Sequence, residues 1–169
     1  LGDVYKRQAR DPYFYRSHVT YQSELEHIIF KSWLYAGHVS QIPNKGDYFL
    51  FDIGEDSIII CRDRKEEIHA MHNMCRHRGA RVCEEPSGNC RVFACPYHGW
   101  GYALDGTLKA ARDMRDVEGF NFEDYGLLHV RMEIFQGMIF INCDPDAPDF
   151  KKPLSKISKQ LGAYDLENA

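Results

Sequence analysis

Two short runs constrain this chain more than anything else in it: Cys75-Arg76-His77 and Cys95-Pro96-Tyr97-His98, separated by residues 78–94. Each offers one thiolate and one imidazole. A cysteine and a histidine separated by one residue cannot chelate comfortably from a regular strand unless the backbone turns, and each run is followed by a glycine, Gly79 and Gly99. Both runs are therefore expected on loops at the tips of hairpins. Two facing loops of this kind suit two chemistries: a tetrahedral zinc site, or a [2Fe–2S] cluster in which two histidines replace two cysteines on one iron. Zinc sites with two cysteines and two histidines typically keep like with like, whereas each pair here is mixed, which favours iron and sulfur. The other cysteines are too few and too scattered for a disulfide scaffold. Cys61 and Cys143 lie in apolar strand patterns and are expected in the core, while Cys83 and Cys90 bracket a turn and are expected as free thiols.

Composition excludes several classes. Among 169 residues, 44% are hydrophobic and 27% charged, with a net charge of −4, which does not suit a disordered, collagen-like or strongly basic nucleic-acid-binding chain. No window approaches the roughly 18 consecutive apolar residues of a membrane helix, and no secretory pattern opens the chain, so a cytoplasmic, reducing setting is expected. A chain of this length can bury a substantial core as one domain with a tail.

Residues 1–8 share no pattern with the remainder of the chain and resemble a translated cloning scar. In residues 21–35, Leu25, Ile28, Ile29 and Trp33 recur at intervals of three and four, and Ser23 with Glu26 has the form of a capping box, predicting a helix. Runs rich in β-branched and aromatic residues predict strands at 48–53, 57–62, 68–72, 91–94, 127–135 and 138–142. Turn chemistry marks 54–56, 86–89, Asp105-Gly106 and Gln136-Gly137, of which Asp105-Gly106 is the strongest hairpin signal. The expected fold is mostly β, antiparallel, in small stacked sheets with a helical N-terminal lead-in. Leu154, Ile157 and Leu161 have helical spacing in a segment that reads as the opening of a further element. The chain is thus expected to be a fragment: residues 1–8 a scar, 9–40 a helical lead-in, 41–147 the cluster domain, and 148–169 a linker into a missing domain.

The two runs, with Gly99-Trp100-Gly101-Tyr102 and Leu104-Asp105-Gly106-Thr107-Leu108 behind them, resemble the Rieske centre of the alpha subunit of ring-hydroxylating non-haem iron oxygenases. Residues 30–38, and 126–128 through 137–142, resemble the lead-in and closing strands of those subunits. The resemblance implies a Rieske [2Fe–2S] domain in which Cys75 and Cys95 bind the inner iron and His77 and His98 the outer one. Neutral imidazoles in place of two thiolates make the reduced cluster less negative and its potential higher. Arg76, Arg78, Gly79, Tyr97, Gly99 and Trp100 would form the cluster's surroundings, the glycine loops offering amide donors to sulfur and Trp100 limiting water. Arg81 would add positive charge beside the reduced cluster. Respiratory Rieske proteins add a cysteine to each loop; Ala80 and Tyr97 stand at those positions, so no disulfide clasp is expected.

Such oxygenases activate O2 at a separate mononuclear iron held by two histidines and a carboxylate. No paired-histidine motif of that kind is present, and His18, His27, His38, His69, His72 and His129 read as lead-in, strand or loop residues. The mononuclear Fe(II) and the pocket for a small organic substrate are expected in the missing domain. The resemblance further implies an electron donor, a reductase or ferredoxin, and a trimer-type homo-oligomer when full length. Asp113, Asp116, Glu118, Glu123 and Asp124 are candidates for docking that donor or for a solvated loop. A free-standing Rieske-type ferredoxin is one alternative and a structural zinc module another. Residues 81–85 and 110–114 resemble the branch acting on quaternary amines more than the one acting on aromatic hydrocarbons.

Overall fold

The computed structural model describes residues 11–114, 116–162, 164 and 166–168, so the run 1–8 lies outside the described residues. Its organising element is a strand whose two faces feed two cores. In β3 (Asp56–Arg62), Ile58, Ile59, Ile60 and Cys61 are all fully buried. Because side chains alternate along a strand, Ile59 and Cys61 join one cluster with Met71, Phe93, Trp100, Tyr102 and Leu108, whereas Ile58 and Ile60 join another with Phe49, Val130, Ile139 and Ile141. A strand apolar on both faces belongs in the middle of a stack, and each fully buried isoleucine contributes about 1.5–3 kcal/mol.

β3 pairs antiparallel with β2 (Asp47–Ile53) and β4 (Ile68–His72), and β5 (Ser87–Asn89) adds an edge beyond β2, giving the order β4-β3-β2-β5. On one side lies the sheet β6-β7-β8, from Phe93–Ala94, Gly101–Tyr102 and Leu108–Ala110. On the other lies β1-β10-β9, from Leu34–His38, Met138–Asn142 and Arg131–Phe135. All pairings are antiparallel, in agreement with the expected fold class. The turns at Gly54-Glu55, Asp105-Gly106 and Gln136-Gly137 close hairpins; Gln136 and Gly137 both have positive φ, 48° and 76°.

Four expectations from sequence need correction. The helix placed at 21–35 starts earlier and stops sooner: α1 (Pro12–Arg16) and α2 (His18–Glu24) lead into a π-helical turn at Leu25–Ile29, and residues 34 onward form β1. The cap is Ser17, whose hydroxyl accepts from the Thr20 N–H, so Ser23 and Glu26 are interior positions. The segment read as a turn at 86–89 is largely strand β5, a short edge that tolerates Pro86 and Gly88 because it pairs on one side. The strand placed at 127–135 is regular only over Arg131–Phe135, with His129 touching Met71 by an isolated bridge, and that placed at 91–94 is reduced to Phe93–Ala94.

The two ends of the sheet stack lie side by side. Trp33 Nε1 donates to the Pro148 carbonyl at 2.9 Å, Asn142 Nδ2 donates to the Lys31 carbonyl at 3.3 Å, and the Phe150 ring sits 4.9 Å from Trp33 and 4.8 Å from Phe140. The helix α3 (Lys151–Leu161) begins from this clamp, three residues before the first apolar position of the predicted helix. Among the described residues no helix is long and apolar enough to cross a membrane.

Candidate metal centre

Only the second Cys/His run is at a hairpin tip as expected, between β6 and β7; the first lies in the long connection from β4 to β5, which do not pair because they are opposite edges of one sheet. Both runs form the same backbone turn. The Cys75 N–H bonds the Ala80 carbonyl and the Gly79 N–H bonds the Cys75 carbonyl, at 2.8 and 2.9 Å; the Cys95 N–H bonds the Trp100 carbonyl and the Gly99 N–H bonds the Cys95 carbonyl, at 2.8 and 3.0 Å. Each turn closes on a left-handed glycine, Gly79 at φ 73° and Gly99 at φ 71°. A Cβ at Gly99 would meet nothing within 4 Å, so the requirement is conformational and not steric. The buried Asn73 fixes the base of the first loop, its Oδ1 accepting from the Val82 and Cys83 N–H groups and its Nδ2 donating to the Cys83 carbonyl.

This shared turn sorts the donors by kind. Cys75 and Cys95 are both buried and interact with each other at the base of the loops. His77 and His98 lie above them, half-buried, with their Nδ1 atoms 3.2 Å apart. Two nitrogens each about 2.1 Å from one tetrahedral ion would be separated by roughly 3.4 Å, so the imidazole pair has the spacing of two ligands on one metal. Among the described residues, the group of three or more Cys, His, Asp or Glu donors gathered within 4.8 Å is Asp63, Glu67 and His69, so the four loop donors do not converge on one point. Two thiols together and two imidazoles together fit a binuclear cluster and not a single zinc ion.

Each thiol has its own donors. The Tyr102 hydroxyl, fully buried, lies 3.2 Å from Cys75 Sγ and accepts the Arg76 N–H at 3.0 Å, which leaves its proton for the sulfur. Burial, then the neighbouring Cys75, push the phenol pKa up, so it remains a donor. Burial and Cys75 also raise the Cys95 thiol, while the N–H groups of Tyr97 and His98 pull it down and supply the amide donors expected of the glycine loop. Desolvation, then His98 and Arg78, lower His77, favouring the neutral imidazole that binds metal.

Trp100 is buried, as expected of a water-excluding residue, and stacks on His77 at 4.9 Å and 12°. Phe120 and Tyr125 pack edge-on against it at 5.7 and 5.9 Å. Tyr97 lies open to solvent, its ring 3.9 Å from that of His98, and a cavity of about 570 Å³ opens between the imidazoles, Trp100 and Arg112-Asp113-Met114. Arg76 is half-buried and Arg78 exposed; Arg81 reaches Asp52 at 3.7 Å, an exposed ion pair of little strength. Asp113, Asp116, Glu118, Glu123 and Asp124 are all exposed.

The remaining histidines and cysteines occupy other parts of the fold. His69 and His72 are in β4. Cys61 is core, held at 0% exposure with its thiol against the Leu104 carbonyl, whereas Cys143 is only half-buried at the edge of the second cluster. Cys83 and Cys90 are free thiols lining one groove with Tyr48 and Pro96. The residue that sequence reasoning left without a role is Tyr102; its buried hydroxyl beside Cys75 is a contact across 27 positions.

The family of Rieske [2Fe-2S] domains matches residues 32–121. Over 140 residues, 82% of this chain and 30% of the relative, the sequence is 42% identical to the alpha subunit of biphenyl 2,3-dioxygenase from Rhodococcus jostii (strain RHA1). It is 34% identical over 156 residues, 92% of this chain and 36% of the relative, to the oxygenase subunit of glycine betaine monooxygenase from Pseudomonas aeruginosa. Among solved structures, naphthalene 1,2-dioxygenase from Rhodococcus sp. superposes with a TM-score of 0.79 at 35% identity, covering 84% of this chain and 33% of that one. The apo form of a quaternary ammonium Rieske monooxygenase superposes with a TM-score of 0.82 at 32% identity, covering 89% and 44%. The chain spans about a third of the length of the curated relatives it matches.

Proposed function

The chain belongs to the Rieske [2Fe-2S] domain family, and from that membership we propose that it relays single electrons within an oxygenase alpha subunit, from a reductase or ferredoxin to a mononuclear iron. The sorting of donors in the two loops carries this reading. Cys75 and Cys95, buried and adjacent, would hold the inner iron, and His77 and His98, at the surface with Nδ1 atoms 3.2 Å apart, the outer one. The cluster held there supplies a one-electron carrier of higher potential than an all-cysteine one.

The chain's own residues set that carrier's environment. The Tyr102 hydroxyl and the Tyr97 and His98 amides draw charge from the two sulfurs, which favours an added electron. Trp100, backed by Phe120 and Tyr125, keeps water from the face of His77. His98, half-buried between His77 and the exposed Tyr97, presents an imidazole edge toward solvent, and these edges are the natural exits for the electron. Residues 41–147 form the relay unit in this reading, with β1 drawn into its sheet from the lead-in and residues 148–169 leading to the catalytic domain. That domain would carry the mononuclear iron, O2 and a small organic substrate, in a trimer-type oligomer in the cytoplasm. The relatives include both aromatic dioxygenases and quaternary amine monooxygenases, so the substrate is decided outside this unit.

The test is iron, zinc and acid-labile sulfide per chain on anaerobically purified protein, with an electron paramagnetic resonance spectrum after dithionite. Two irons, two sulfides and a rhombic Rieske-type signal are expected. One zinc, no sulfide and no signal after anaerobic reconstitution would overturn the electron-relay reading.

A further inference from the structure

The chain that follows β10 is held at two places, one at each end of β1. At the near end, Trp33 Nε1 donates to the Pro148 carbonyl, and Arg131, its guanidinium carbon 5.7 Å from the centre of the Trp33 ring, donates to the Ala147 carbonyl. At the far end, the last residue of β1 is His38, whose Nε2 lies 2.9 Å from the Leu166 carbonyl oxygen. Between the two anchors runs α3. Its eleven residues cover about 16 Å and the five residues of β1 about 13 Å, so one helix suffices to carry the chain from one end of the strand to the other.

The His38 ring is built into its place. Its Nδ1 accepts the Ser40 N–H at 3.2 Å and lies 2.8 Å from the Ser40 hydroxyl, while the His38 N–H donates to Gln41 Oε1 at 2.8 Å, a reciprocal cap on the turn Val39–Gln41. The Val39 N–H bonds the Gly137 carbonyl at 2.8 Å, and a Cβ at Gly137 would collide with the imidazole, so glycine is what lets the β9–β10 turn come this close. A ring nitrogen that accepts a backbone N–H carries no proton. The proton of the neutral ring is therefore on Nε2, the atom that faces the Leu166 carbonyl, and both nitrogens meet partners of the matching kind. Every one of these anchors grips a main-chain carbonyl, so it fixes the path of the chain and is indifferent to the side chains along it.

We propose that residues 148–166 are a strap fastened at both ends of β1, with His38 as the positioning residue of the far fastening. The purpose of the strap rests on the relay reading: a unit that passes electrons to an iron in a following domain gains from a fixed direction of departure, which a free linker does not give.

The test uses the oxidised, cluster-loaded chain and follows chymotrypsin cleavage after Tyr164, an exposed residue between α3 and the far fastening. His38→Asn keeps an acceptor in the place of Nδ1, and so keeps the cap, but is too short to reach Leu166; His38→Gln carries an amide N–H out to the place of Nε2. Cleavage should be about three- to tenfold faster in His38→Asn than in the unaltered chain, the change that losing one hydrogen bond brings to a local opening, and should return toward the original rate in His38→Gln. Nitrogen-15 resonances of the unaltered His38 ring should place its proton on Nε2. Equal cleavage with and without His38→Asn, no recovery in His38→Gln, or a proton resting on Nδ1 would each overturn the proposal. Digestion reads the strap and metal analysis reads the cluster, so a chain found to hold zinc would overturn the relay reading without touching this result.

Discussion

The two Cys/His loops are the same turn used twice, and they differ in what surrounds it. Both run from a buried cysteine to a left-handed glycine four positions later, closed by the same pair of backbone hydrogen bonds. In the first loop the histidine is two residues after the cysteine and stacks on the buried Trp100, and the sulfur receives the Tyr102 hydroxyl. In the second the histidine is three residues after the cysteine, lies beneath the exposed Tyr97, and the sulfur receives backbone amides. One loop is thus tuned by distant side chains of the core and the other by its own backbone. Substitutions should act alike on the shared turn and unlike on the surroundings.

The largest effect tests the likeness. Cys75→Ala and Cys95→Ala should each abolish the cluster, measured as iron, sulfide and visible colour; a variant that kept all three would move the ligand elsewhere. Next, His98→Cys should keep a cluster whose potential falls toward the about −400 mV of plant-type all-cysteine clusters, and redox titration that found no fall would refute the role given to imidazole. Tyr102→Phe should separate the loops. It removes the donor to Cys75 and orphans the Arg76 N–H, so the potential should fall by less than in His98→Cys, and unfolding free energy should drop by about 1–3 kcal/mol. Smallest, Gly79→Ala and Gly99→Ala should each destabilise by about 1–2 kcal/mol in denaturant unfolding, equally, because both positions are left-handed and neither is crowded. A large inequality between them would break the symmetry.

The strands that carry both cores were legible because β-branched and aromatic residues crowd 57–62 and 138–142, as an unbroken isoleucine run in the first and as Ile139 and Ile141 alternating with Met138 and Phe140 in the second. The lead-in was misread because Trp33 continues a helical spacing after the backbone has already left the helix through a π turn, a change that local periodicity does not register. β5 was hidden by Pro86 and Gly88, which are turn residues by propensity and edge-strand residues by tertiary pairing. The four ligand candidates were legible from spacing, yet the likeness of the loops was not, since Cys-x-His and Cys-x-x-His look different. The signal was present in the recurring interval from cysteine to glycine, Cys75 to Gly79 and Cys95 to Gly99. Nothing local marks Tyr102, whose effect depends on a fold that brings together residues 27 positions apart.

The clamp of Trp33 on Pro148 and Phe150 has a consequence for how such a unit is inherited. A segment whose entry and exit strands leave through one doorway is, to any chain that contains it, no more than a long loop. Its host can be lengthened, reshaped or exchanged without threading a new path through the sheets. The similarity of this one unit to proteins named for biphenyl, naphthalene and glycine betaine is what such a plug would leave behind.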